Sequence, residues 1–94
     1  MNQPETVTQS LVADRVRAFI TDTFLFGEED DRFTDEASFL ETGIIDSTGL
    51  LELIAFVEEE FSFRIAEQEL TPSNLDSVAN ISSFVLRNTG AAPE

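Results

Sequence analysis

The sequence predicts an all-α fold: a four-helix bundle of three longer helices and one short one, with a long ordered loop between the first and second. Three observations predict it. Apolar residues recur at three- and four-residue steps in three separate stretches, the spacing an amphipathic helix needs. Between the second and third stretches, Pro72-Ser73-Asn74 breaks the pattern and leaves room for one short helical turn. Apolar residues make up 41% of the chain, enough for a packed core and too many for a disordered acidic tail. Ninety-four residues are too few to divide into two cores, so residues 1–94 are expected to form one domain, ordered over about 6–88.

The first helix is expected over about Thr6 to Thr23. Val7, Leu11, Val12, Val16, Phe19, Ile20 and Phe24 mark its apolar face, and Asp14, Arg15, Arg17, Thr21 and Asp22 its polar side. Thr6 and Gln9 are spaced as a capping box just after Pro4. Leu25 to Asp46 follows without a sustained period, longer than most loops in compact domains. Phe26, Phe33, Phe39, Ile44 and Ile45 are spread along it, so the loop is expected to pin itself to the core and hold a fixed course. Gly43 is expected at a turn of positive φ. The second helix is expected from Ser47 to Phe61, with Leu50, Leu51, Leu53, Ile54, Val57 and Phe61 on a broad apolar face. A third runs from Asp76 or Ser77 to Asn88, with Asp76 available as cap, Val78, Ile81, Phe84 and Val85 inward, and Asn88 and Gly90 as stop signals. Ala91 to Glu94 reads as a frayed tail.

Composition excludes much chemistry. The chain has no Cys and no His, which removes thiol nucleophiles, imidazole bases, Ser/His/Asp triads and thiolate or imidazole zinc sites. Nineteen acids against five bases give a net charge of −14, which argues against nucleic acid and anionic membrane as partners. Most of that charge, −13, falls within residues 28–76. Such charge keeps a small domain soluble and monomeric, and it also steers basic partners to a docking face. The start of the sequence lacks a secretory pattern, and the longest apolar run, Leu53 to Val57, is far short of a membrane span. The expectation is a cytoplasmic protein. The acids around Glu28–Asp31 lack the twelve-residue calcium-loop spacing with its glycine, and no metal site is expected. No Gly-rich phosphate loop is present, and no general acid or base near neutrality can be named, so no catalytic residue is assigned.

One run stands apart: Phe39-Leu40-Glu41-Thr42-Gly43-Ile44-Ile45-Asp46-Ser47-Thr48-Gly49-Leu50-Leu51-Glu52-Leu53-Ile54. It places a serine hydroxyl at a helix start with an aspartate immediately before it. Ordinary N-capping explains Asp46 or Ser47 and needs only one of them. If Asp46 caps, Ser47 points outward at the helix N-terminus, where a phosphate ester would meet free backbone N–H groups.

The run resembles the signature of the acyl carrier protein family, whose members bear 4′-phosphopantetheine on a serine in a Gly-x-Asp-Ser setting. The likeness continues through Val57-Glu58-Glu59-Glu60-Phe61, Ile65 and Asp76-Ser77-Val78, about residues 7–88 in all. It implies an acyl-carrier-like bundle that is not itself an enzyme. Ser47 would be the attachment site and Asp46 its motif neighbour. The arm, drawn from coenzyme A by a phosphopantetheinyl transferase, would hold acyl or aminoacyl cargo as a thioester. The second helix would be the docking surface, with Glu41, Thr48, Gly49, Glu52, Glu58, Glu59 and Glu60 on or beside it. Its partners would be a ligase that loads the cargo and transferases or synthases with basic docking patches, in lipid or secondary-metabolite synthesis. Common fatty-acid carriers have Leu or Met and then Asp after the modified serine; Thr48 and Gly49 stand there instead. In this the run is similar to discrete aminoacyl carriers of the D-alanyl type. Gly49 in a first helical turn costs about 1 kcal/mol against alanine, which calls for a reason: close approach by the arm or a partner, or drift. The rival from another class is an acidic interaction module, a degenerate carrier that never receives a prosthetic group.

Overall fold

The computed structural model describes residues 8–89. Helix α1 spans Gln9–Phe24 and α2, a single turn, spans Phe39–Thr42. Helix α3 spans Ser47–Glu60, followed by a 3₁₀ turn at Glu67–Glu69, then α4 at Pro72–Leu75 and α5 at Val78–Thr89. No strand occurs among the described residues, so the all-α expectation holds, with the three longer helices in their expected places and the short one after Pro72.

The apolar stripes do what their period requires. Val12, Val16 and Ile20 of α1, Leu53 and Val57 of α3, and Val78, Ile81, Phe84 and Val85 of α5 are buried together with Phe39, Ile44, Ile45 and Leu75. The loop before α3 therefore supplies part of the core, as its spaced apolar residues led one to expect. Phe26 is the exception, 84% exposed. It follows directly on the end of α1 in a left-handed conformation, φ 55°, which turns its side chain outward.

Several helix ends differ from expectation. The Thr6–Gln9 box, Val7, Gly90 and the 91–94 tail involve positions outside the described residues. Within them, Thr8 caps α1, its Oγ1 accepting from the Leu11 N–H at 3.2 Å. Asp76 does not cap α5. That role belongs to Ser77, whose Oγ accepts from Asn80 N–H at 3.0 Å. The Asp76 carboxylate is committed elsewhere: it accepts from the Ser38 hydroxyl and from the Leu40 N–H, and the Asp76 carbonyl accepts from Phe39 N–H at 2.9 Å. Ser38 in turn caps α2 by accepting from Glu41 N–H. The aperiodic loop thus contains a helical turn that sequence period could not reveal, because four residues are too short to show one.

Gly43 closes that turn at φ 77°, the left-handed C-cap that an L side chain would resist. The chain then buries Ile44 and Ile45 and enters α3 at Asp46. Gly43 and the two isoleucines fix where α3 begins.

Candidate functional site

Asp46 is the N-cap of α3. Its backbone is extended, φ −91° and ψ −178°, and its Oδ1 accepts from the Gly49 N–H at 2.7 Å. Ser47 is the first helical residue and is exposed. Of the two residues that could have capped, one has taken the role, and among the described residues no hydrogen bond restrains the Ser47 hydroxyl. The Leu50 N–H makes the first intrahelical bond, to Asp46 O at 2.9 Å. The N–H groups of Ser47 and Thr48 therefore stay available at the positive end of a fourteen-residue helix.

Around this turn the remaining candidate residues sort by geometry. Thr48 is exposed beside Ser47, and Glu52 and Glu59 are exposed on α3, seven residues apart and hence on one face. Glu41 is exposed on α2. Glu58 and Glu60 have partners within the chain. The Glu58 carboxylate accepts from Ile65 N–H at 2.8 Å and so fastens the segment that leaves α3. Glu60 pairs with Arg15 of α1 at 2.5 Å. Gly49 is buried, and a side chain there would meet the Phe24 ring. The carboxylates of α3 are therefore two free ones on a common face and two that serve the fold.

Leu51 departs from its expected inward place and is 64% exposed. It lies four residues after Ser47, one turn along the same face. Hydropathy alone assigns a leucine to the core. The signal that could have placed it outside is angular: Leu51 sits with Ser47 rather than with Leu53 and Val57 around the helix. Among the described residues no group of carboxylates is arranged to hold a metal ion, and no helix is long and apolar enough to cross a membrane.

Fold and site together define a small helical domain that offers the exposed hydroxyl of Ser47, with that of Thr48 beside it, at the start of an acidic helix. Comparison with known proteins is consistent with that class. No family model matches the chain. Polyketide-8 synthase acyl carrier protein 2 of Streptomyces avermitilis is 35% identical over 68 residues, 72% of this chain and 76% of that protein. An acyl carrier protein of Akkermansia muciniphila is 29% identical over 84 residues, 89% of this chain and all of that one. A chain in a solved structure described as the crystal structure of an FAD-dependent dehydrogenase superposes with a TM-score of 0.64 at 28% identity, over 74% of this chain and 97% of that chain. The chain belongs to the acyl carrier protein family, and its general role is that of a carrier.

Proposed function

We propose that the protein carries acyl or aminoacyl groups as thioesters on a 4′-phosphopantetheine arm attached to Ser47. The observation that carries this reading is the division of labour at the start of α3: Asp46 caps, and Ser47 is exposed and free. The residues fit the group. A phosphodiester on Ser47 Oγ would sit beside the N–H groups of Ser47 and Thr48, where the helix dipole favours negative charge. When bound, the arm supplies the thiol that this cysteine-free chain lacks.

The chain's own part is to present and to address. In the transferase, the bond from Ser47 Oγ to phosphorus forms as the pyrophosphate bond of coenzyme A breaks. Adenosine 3′,5′-bisphosphate leaves, and the hydroxyl proton passes to a base of the transferase. Tethering then replaces diffusion with a high local concentration of cargo at each partner's site. Glu52 and Glu59 offer negative charge to a basic partner surface, and Leu51 beside Ser47 offers an apolar contact. Thr48 follows Ser47 in the same turn, and Glu41 is exposed on α2. The dehydrogenase structure contains a chain shorter than this one and 28% identical to it, which supports a flavin-dependent dehydrogenase among the enzymes served.

The test is a mass measurement. Incubated with coenzyme A and a broad-specificity phosphopantetheinyl transferase, the protein is expected to gain one phosphopantetheinyl group, and Ser47→Ala to gain none. An unchanged mass for the wild-type protein leaves the acidic interaction module as the better reading.

A further inference from the structure

We infer that Phe24 is a positioning residue for arm attachment: its ring occupies the space a side chain at residue 49 would need, and that seat sets how α3 presents Ser47. The inference rests on Ser47 as the attachment site. A Cβ built on Gly49 would lie 2.8 Å from Phe24 Cε1, 3.1 Å from Ile45 Cγ2 and 3.2 Å from Asp46 Oδ1. Each wall has a different owner. Phe24 is the last residue of α1. Ile45 is in the core, 1% exposed. Asp46 Oδ1 is the same atom that accepts from the Gly49 N–H.

The Phe24 ring is half-buried and is braced on one side by other rings. Phe19 meets it edge-on, with centroids 6.0 Å apart and planes at 79°. Phe19 is itself stacked on Phe56 of α3, with centroids 4.2 Å apart and planes at 11°. Gly49 and Phe56 are seven residues apart, two turns on one face of α3. The two helices therefore meet through a run of three rings, and Phe24 is the member that reaches the first turn. A side chain at residue 49 would meet that ring, so the absence of one lets the first turn pack this close to α1. The close approach that makes Gly49 necessary is made by the chain itself, and it registers the Ser47 hydroxyl against α1.

A second-site rescue tests this. Initial rates of phosphopantetheinylation by a transferase are measured over a range of carrier concentrations, with hydrogen exchange of the residue 49 amide as an independent readout. Gly49→Ala is expected to lower kcat about tenfold, since small misplacement of a reacting group is costly, and to speed exchange at residue 49 as the Asp46 cap is displaced. Adding Phe24→Leu should restore both to within about twofold of wild type, a coupling of opposite sign to the loss that two packing defects would sum to. If Gly49→Ala folds only in the Phe24→Leu background, the double variant's kcat decides: within about twofold of wild type supports the inference, and a loss of about tenfold in the folded double variant overturns it. Wild-type rates for Gly49→Ala, or a double variant no better than Gly49→Ala in rate or folding, overturns the inference. Wild-type protein that takes up no phosphopantetheine overturns the attachment reading instead, and with it this one.

Discussion

At Asp46 the backbone is extended and at Ser47 it is helical, and that one change of dihedral separates the cap from the free hydroxyl. Removing the cap is expected to cost about 1 kcal/mol in Asp46→Ala and only a few tenths in Asp46→Asn, because asparagine caps nearly as well. Urea melts at neutral pH read both. Ser47→Ala should stay within about 0.5 kcal/mol of wild type, as befits an exposed side chain with nothing to lose. A Ser47→Ala protein destabilised as much as Asp46→Ala would place the cap on the wrong residue. Capping preference alone left two adjacent residues, since aspartate and serine are both favoured caps, and it was the family resemblance that implied Ser47 as the attachment site. The register comes from Gly43 at positive φ and the burial of Ile44 and Ile45, both expected from the sequence, whereas the Asp46–Gly49 hydrogen bond that picks the cap is seen only in the folded chain. For the same reason Glu58 and Glu59 look alike in sequence, although Glu58 holds the Ile65 amide and Glu59 is exposed.

Among the elements, the loop between α1 and α3 shows most clearly what helical period leaves unread. Its apolar anchors were legible, but its course is held by polar contacts between residues far apart in sequence. Arg17 of α1 donates to both oxygens of Asp35, from Nε at 2.7 Å and Nη2 at 3.0 Å, and the Asp35 carbonyl accepts from Ala79 N–H of α5 at 2.8 Å. Nearer α2, Arg32 Nη1 donates to the Thr42 carbonyl at 2.7 Å while Asp30 grips the same guanidinium. The Arg17 hydrogen bond holds the Asp35 carboxyl below its ordinary pKa, and Arg32 lowers that of Asp30 to about 2. A carboxylate whose pKa is lower in the folded state stabilises the fold above its unfolded value near 3.9 and loses that contribution as pH falls through the folded one. Asp35→Asn is therefore expected to cost about 0.5–1 kcal/mol at pH 7, the range of a well-formed but partly exposed ion pair. The difference from wild type should shrink progressively below about pH 4. Thermal melts from pH 7 to pH 2.5 follow it, and a difference independent of pH would deny the ion pair any part in anchoring the loop.

Over the whole molecule, the charge of −14 acts in two ways that total charge alone cannot separate. It could raise encounter rates with any basic partner, or the placement of Glu52 and Glu59 along the exposed side of α3 could orient the encounter. Two variants divide these effects. Glu52→Lys with Glu59→Lys reverses the two exposed α3 carboxylates. Glu28→Lys with Glu29→Lys makes the same change of net charge on the exposed loop after α1. Glu58 and Glu60 are left alone, since their carboxylates bond within the chain. If placement governs docking, loading by the transferase at low ionic strength should fall roughly tenfold in the α3 variant and far less in the loop variant. Raising salt to about 1 M shortens the screening length to about 3 Å and should bring all three proteins together. Equal losses in the two variants would assign the effect to total charge. A loss in the α3 variant that survives high salt would assign it to contact at the surface, with Leu51 the neighbour to examine, because desolvated contacts are not screened as long-range fields are.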